Sequence, residues 1–337
     1  MVSAPLADYK RACSPTWEKG TLAVNRDKPD KWKRDVALSV DMYNHWFMEF
    51  APAAFRETRV KTTADVERAL VVSDYLRALS PGLLTENPQV ISTLRMSACP
   101  PIAVDRLIGL SGVKPSLVKG LERGKLPVRM TPARVESELC KVLTVITKMA
   151  DPDIFVWLKR GNSPSRGEAY RAATIVADRL CGAVANPIIR NAQEKRQLLA
   201  IEQWLVSRGY QKLERGLPFD EMPQGTYSFR LNVPVQQESG RGVNLPVDAV
   251  IMPASSQVGS LPVLIEAKSA GDYTNVNKRR KEEAVKMQQL RDTYGSGVVF
   301  NLFLCGYFDT GYLGYEAAEG IDWVWEHRID ELEGFGL

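Results

Sequence analysis

Apolar residues in the first ninety positions recur at helical spacing. Val36, Leu38, Val40, Met42, Trp46 and Phe47 form one set, and Val66, Leu70, Val71, Tyr75 and Leu76 form another, so residues 30–90 are predicted to be helical. The Ser80-Pro81-Gly82 and Asn87-Pro88 breaks close that section. Residues 132–160 predict a further helix and turn, and residues 160–167, rich in Gly, Ser and Pro, make the best linker in the chain. Helices follow near 167–182 and 187–208. The period then shortens to two, predicting strands at Tyr227–Val233, Leu245–Met252, Leu261–Lys268 and Gly297–Leu304, with a helix of about 278–294 interrupting the last pair. This order predicts a helical region over 1–165 and a mixed α/β domain over 166–337. Near the C-terminus the aromatic-rich stretch 307–315 reads as core or subunit contact. The strictly alternating 321–327 reads as an edge strand or dimer element.

Composition changes this picture little. With 337 residues, 45% hydrophobic and 25% charged, the chain has the makeup of a soluble globular protein of one large or two modest domains. No run of eighteen apolar residues predicts a membrane span, and the N-terminus lacks a basic segment followed by an apolar one. The five cysteines (Cys13, Cys99, Cys140, Cys181, Cys305) are scattered without a CxxC pair, which predicts reduced thiols in a cytoplasm. With only His45 and His327 available, a zinc site, a histidine triad or HNH-type chemistry is disfavoured. Net charge is +4, so local clusters matter more than the total. They are Lys278-Arg279-Arg280-Lys281 and an N-terminal group of Lys28, Lys31, Lys33 and Arg34 diluted by Asp27, Asp30 and Asp35.

The chemistry concentrates on two predicted strands. Asp248 lies within Leu245–Met252, and Glu266-Ala267-Lys268 ends Leu261–Lys268. Side chains alternate along a strand, so Glu266 and Lys268 share a face while Ala267 points to the opposite layer. An acid and a base closing an apolar strand are costly to bury unless something compensates them. A Mg²⁺ ion between Asp248 and Glu266, with the Ala267 carbonyl as a further oxygen and Lys268 beside an attacking water, would do so. The bland alternatives are a salt bridge at a strand end and an ordinary aspartate near a turn. On the helix 187–208, Glu194 shares a face with Leu198, Ile201 and Leu205, and Glu202 lies at the edge of that stripe, a solvated face being the alternative for either.

The spaced D…ExK pattern resembles that of the PD-(D/E)xK nuclease superfamily over roughly residues 185–310, although the proline stands at 246, two before the aspartate. The continuation from Lys268 through Gly271-Asp272-Tyr273-Thr274-Asn275 to Lys278-Arg279-Arg280-Lys281-Glu282-Glu283 is similar to type II restriction endonucleases, most closely the XamI-like group, and the likeness extends upstream to residue 95. The resemblance implies a restriction-endonuclease-like α/β core acting as a Mg²⁺-dependent, sequence-specific nuclease on double-stranded DNA. It also implies a further carboxylate from the helix before the sheet, where Glu194, placed before the apolar run, is favoured over Glu202, together with a homodimer and a partner DNA methyltransferase that protects host sites. Asp272, Thr274, Asn275 and Asn277 would then contact phosphates or base edges, and Lys278, Arg279, Arg280 and Lys281 phosphates, with a solvated face as the alternative. Residues 101–124 resemble a repressor-type helix-turn-helix, with a turn at Ser111-Gly112-Val113 and a second helix offering Lys114, Ser116 and Lys119 to DNA; a plain helical hairpin is the alternative. Two other functions remain open from sequence: a repair or junction-resolving nuclease, and a non-catalytic helix-turn-helix regulator.

Overall fold

The computed structural model describes residues 23–213, 217–236, 242–257, 259–274 and 276–337, apart from the side chains of 276–280. Eight helices come first: α1 (Pro29–Val72), α2 (Pro81–Glu86), α3 (Val90–Met96), α4 (Val104–Ser111), α5 (Pro115–Leu121), α6 (Pro132–Met149), α7 (Trp157–Arg160) and α8 (Arg166–Ser207). Strands β1 (Gln211–Lys212), β2 (Thr226–Gln236), β3 (Gly242–Met252) and β4 (Val263–Ala270) follow. Then come α9 (Val276–Tyr294), β5 (Phe300–Gly306), α10 (Thr310–Ala318) and β6 (Asp322–Trp325). By packing, the chain divides into two units. One is helical, Phe50–Ile189; the other joins Arg190–Leu337 to the described residues before Phe50. The boundary expected between 165 and 166 therefore falls inside the helical unit.

Two helical expectations change. Val72 ends α1, and Asp74, Tyr75 and Leu76 take positive φ, a conformation unusual for bulky residues. Local bonds hold the turn: the Leu76 N–H donates to the Ser73 hydroxyl, and the Trp157 indole donates to the Tyr75 carbonyl at 2.9 Å. The helices expected at 167–182 and 187–208 are one continuous α8 of 42 residues that passes through Pro187. A proline inside a helix removes one backbone bond and crowds the preceding turn. Burial outweighs that cost: Ala172, Val176, Ala177 and Leu180 pack in the helical core, and Leu198, Ile201, Trp204 and Leu205 pack on the sheet. By length and composition alone, α8 is the one helix among the described residues that passes a membrane-span test, and its apolar residues Ala172, Val176, Leu180, Leu198, Ile201 and Leu205 pack in these two cores.

In the second unit the six strands lie in sequence order. The β2–β3 and β3–β4 pairs are antiparallel, and β1–β2, β4–β5 and β5–β6 are parallel, with α9 and α10 as crossovers. Alternation along β3 sends Val250 and Met252 into the core that contains Met287 and Leu290 of α9 and Tyr312 and Leu313 of α10. Ala249 and Ile251 go to the α8 core. The predicted edge strand is β6, the last in the sheet, with Trp323 and Val324 buried on opposite faces. Residues of the aromatic stretch 307–315 start α10, where the Asp309 side chain caps Tyr312 N–H and Phe308, Tyr312 and Leu313 are core. Asp322 ties the start of the described chain to β6 by accepting from the N–H groups of Val24, Asn25 and Arg26 at 2.6, 2.9 and 3.0 Å.

Candidate active site

Asp248 and the Glu266–Lys268 pair meet because β3 and β4 are antiparallel neighbours. Ala249 pairs with Ile265 and Val250 with Leu264, so the register runs Asp248 alongside Glu266. The Ala267 N–H donates to Asp248 Oδ2 at 2.9 Å and closes that approach. As the period of two predicts, Ala267 packs into the α8 core, and Glu266 and Lys268 meet α9 on the other side. At the far end of β4, Gly306 reaches φ +98, and a Cβ there would stand 2.1 Å from the Ala270 carbonyl; only glycine lets the two strand ends close so tightly.

α9 adds two residues that the sequence reading missed. Glu283, fully buried, places Oε1 3.0 Å from Lys268 Nζ, and Lys286 places Nζ 2.5 Å from Glu266 Oε1. Lys268 Nζ is 3.1 Å from the same Glu266 oxygen. Three carboxylates therefore face two ammonium groups, and Glu266 Oε2 is buried with no hydrogen-bond partner among the described residues. Burial first, and then the charge of Glu266, push the Asp248 carboxyl up to about 6. Burial disfavours the Lys268 ammonium, but Glu266 and Glu283 outweigh it and raise its pKa, so Lys268 is a firmly held cation. Behind Glu283 lies Glu316 of α10, also fully buried; burial and the neighbouring Glu283 raise it to about 8, against a hydrogen bond with Tyr312.

A divalent cation fits this arrangement. Mg²⁺ takes hard oxygens, keeps several waters and is commonly held by one or two carboxylates. Asp248 and Glu266 supply them, and the unpartnered Glu266 Oε2 and the raised Asp248 carboxyl mark where positive charge is missing. No group of three or more acidic, His or Cys side chains converges as a ready-made metal cage among the described residues.

Glu194 lies near enough to Asp248 for its charge to raise the Asp248 pKa, and it pairs with Arg230 at 2.5 Å. Arg230 sits between the Phe229–Ala249 and Leu231–Val247 pairs, across from Asp248, and adopts φ +53. A left-handed arginine inside a strand costs on the order of 1–2 kcal/mol. Glu202 is engaged elsewhere, with Lys212 at 2.8 Å and the Tyr227 hydroxyl at 3.3 Å.

The loop after β4 is exposed, and Asp272 Oδ1 accepts from Thr274 N–H at 2.8 Å as a local turn. Tyr273 stacks edge-on with Tyr307 at 5.0 Å. Lys281 is exposed at the start of α9, whereas Asn275 and the side chains of Asn277, Lys278, Arg279 and Arg280 lie outside the described residues. In the helical unit α4 and α5 form the expected pair of short helices, joined where Gly112 caps α4 at φ +64. Lys114, Ser116 and Lys119 are exposed, and Lys119 is 3.2 Å from Asp105.

Fold and site define a mixed α/β enzyme whose acids and lysines converge from two adjacent strands and a crossover helix. Residues 74–325 match the family model described as XamI restriction endonuclease. The type II restriction enzyme SalI of Streptomyces albus G is 52% identical over 315 residues, covering 93% of this chain and 99% of that protein. The chain belongs to the XamI restriction endonuclease family and is a type II restriction endonuclease. A crystal structure of protein VC1899 from Vibrio cholerae overlaps 75% of this chain and 55% of its own, at 12% identity and a TM-score of 0.27, too low to bear on the fold.

Proposed function

We propose that this restriction endonuclease hydrolyses both strands of double-stranded DNA at a specific sequence, in a Mg²⁺-dependent reaction of the PD-(D/E)xK type. The observation that carries this reading is the surplus of carboxylates where β3 and β4 pair, with the Asp248 carboxyl raised and Glu266 Oε2 buried without a hydrogen-bond partner among the described residues. Asp248, Glu266 and the Ala267 carbonyl would hold the ion. Bound there, Mg²⁺ supplies the positive charge that favours attack of water on phosphorus and departure of the 3′ oxygen.

The chain's own residues do the rest. Lys268, kept protonated by its two carboxylates, donates hydrogen bonds to the attacking water and to a phosphate oxygen, and so acts as an electrostatic stabiliser and not as a base. Glu194 adds a carboxylate at the rim of the site, and Arg230, now paired with it, stands where an approaching phosphate would draw it away. Asp272, Thr274, Asn275, Asn277 and Lys278–Lys281 would line the DNA beyond β4, and Lys114, Ser116 and Lys119 would act as a helix-turn-helix surface. A homodimer would cut both strands of a symmetric site, and a methyltransferase of the same system would protect host DNA in a shared cytoplasm. Family membership sets aside the repair-nuclease and non-catalytic regulator readings.

The test is incubation of unmethylated phage DNA with the purified protein in Mg²⁺ or EDTA, alongside Lys268→Ala. Discrete fragments that need Mg²⁺ and vanish in the variant support the proposal. Cleavage in EDTA, or undiminished cleavage by Lys268→Ala, overturns it.

A further inference from the structure

The buried charges around Lys268 are not equivalent. Glu266 lies within reach of two ammonium groups and belongs to the proposed cation site, so a bound cation would compete with Lys268 for it. Glu283 faces Lys268 from α9, shares no atom with the proposed cation site and keeps its second oxygen, Oε2, without a hydrogen-bond partner among the described residues. It also lies on the stripe of α9 that carries Met287 and Leu290 into the sheet core, so the helix cannot withdraw it without unpacking them. A lysine ammonium at the end of a flexible four-carbon stem loses rotamer entropy when fixed in one place. Two carboxylates at 3.0 and 3.1 Å fix it; with Glu266 engaged elsewhere, Glu283 alone remains.

We infer that Glu283 is the positioning residue for Lys268, a buried carboxylate from the crossover helix that holds the ammonium in place while Glu266 serves the cation. Glu316 supports this by what it leaves out. It is buried beside Glu283 and favours its neutral form, so it adds no second negative charge to draw Lys268 deeper, and Glu283 offers its charge to Lys268 alone. Lys286, one turn along α9, balances Glu266 from the same helix. The crossover helix therefore carries both an acid and a base that keep the strand pair Glu266–Lys268 in register.

This inference rests on Lys268 acting at the scissile phosphate, and the experiment separates the two claims. Full-length wild type, Lys268→Ala, Glu283→Gln and Glu283→Asp are compared by three readouts. These are the single-turnover cleavage rate in Mg²⁺ at saturating enzyme, duplex affinity with Ca²⁺ in place of Mg²⁺, and acetylation of Lys268 in the metal-free protein, followed by mass spectrometry against exposed Lys141. Glu283→Gln is expected to slow the single-turnover rate on the order of 10²-fold, the size of effect that small misplacements of a catalytic group produce. Its DNA affinity should be unchanged, and Lys268 should acetylate several-fold faster relative to Lys141. Glu283→Asp keeps the charge at shorter reach and should recover part of the rate; if Glu283→Gln does not fold, this variant decides the matter by a reduced rate at unchanged affinity. Wild-type cleavage and wild-type Lys268 reactivity in the Glu283 variants, with Lys268→Ala inactive, would overturn the positioning role alone. Wild-type cleavage by Lys268→Ala would overturn the role of Lys268 itself, and with it the one assigned to Glu283.

Discussion

Buried charges occur in both units, and those of the helical core are handled differently from those where β3, β4 and α9 meet. In the helical unit Arg95 meets Glu122 at 2.6 Å and donates to the Ile102 carbonyl at 2.5 Å, while Ser92 donates to the other Glu122 oxygen. Arg179 likewise meets Asp151 at 3.1 Å and donates to the carbonyls of Met96 and Ala98. Each of these charges has one opposite charge, and backbone groups and the Ser92 hydroxyl take up further valences. Where β3, β4 and α9 meet in the sheet unit, Asp248, Glu266 and Glu283 share Lys268 and Lys286, one carboxyl is pushed up to about 6, and a buried oxygen of Glu266 has no hydrogen-bond partner among the described residues. The first arrangement is complete within the protein; the second is the one on which the proposed cation site rests.

Three substitutions would break or sharpen this contrast. The largest effect is expected from Asp248→Asn, which should lower cleavage on the order of 10³-fold by removing one of the two carboxylates proposed to hold the ion. It should also raise the melting temperature of the metal-free protein at pH 7. The folded-state pKa of Asp248 is raised, so stability is lost as pH rises from about 3.8 to about 6 and the full penalty is present at pH 7; the neutral amide removes it. Paired cleavage and thermal-melt assays check both halves. Next, Glu122→Gln in the helical unit should do the reverse for stability. It strands the Arg95 guanidinium in a buried site and should cost about 3 kcal/mol in denaturant unfolding. The smallest effect is expected from Glu316→Gln. With its carboxyl raised to about 8, wild-type protein should lose stability progressively as pH rises from about 4.5 to above 8, because the unfolded chain releases this proton earlier than the folded one. The variant should flatten that part of the melting-temperature profile.

Much of this was legible in the chain. Alternation along β3 and β4 predicted which side chains share a face, and the strand limits hold to within a few residues at the site. Glu194 was favoured for its position before the apolar run that carries Leu198, Ile201 and Leu205, whose face it shares, and its charge contributes to raising the Asp248 pKa. The same test applied to α9 would have found Glu283, which stands 4 and 7 residues before the buried Met287 and Leu290 on the same stripe. The Lys-Arg-Arg-Lys run near the start of that helix drew attention to its basic residues instead. Glu316 was hidden for another reason. It lies on a helix read only as aromatic core, and nothing local says that α10 packs behind α9. The continuity of α8 through Pro187 was also illegible, since local propensity argues for a break and only burial on both sides of the proline overrides it.

The claim that uncompensated carboxylates form the cation site is tested most directly by calorimetric titration of the DNA-free protein with Mn²⁺, a stand-in for Mg²⁺ with the same preference for oxygen. Wild type and Glu122→Gln should bind the ion with equal affinity, and Asp248→Asn should bind it far more weakly or not at all. Undiminished binding by Asp248→Asn would contradict the account.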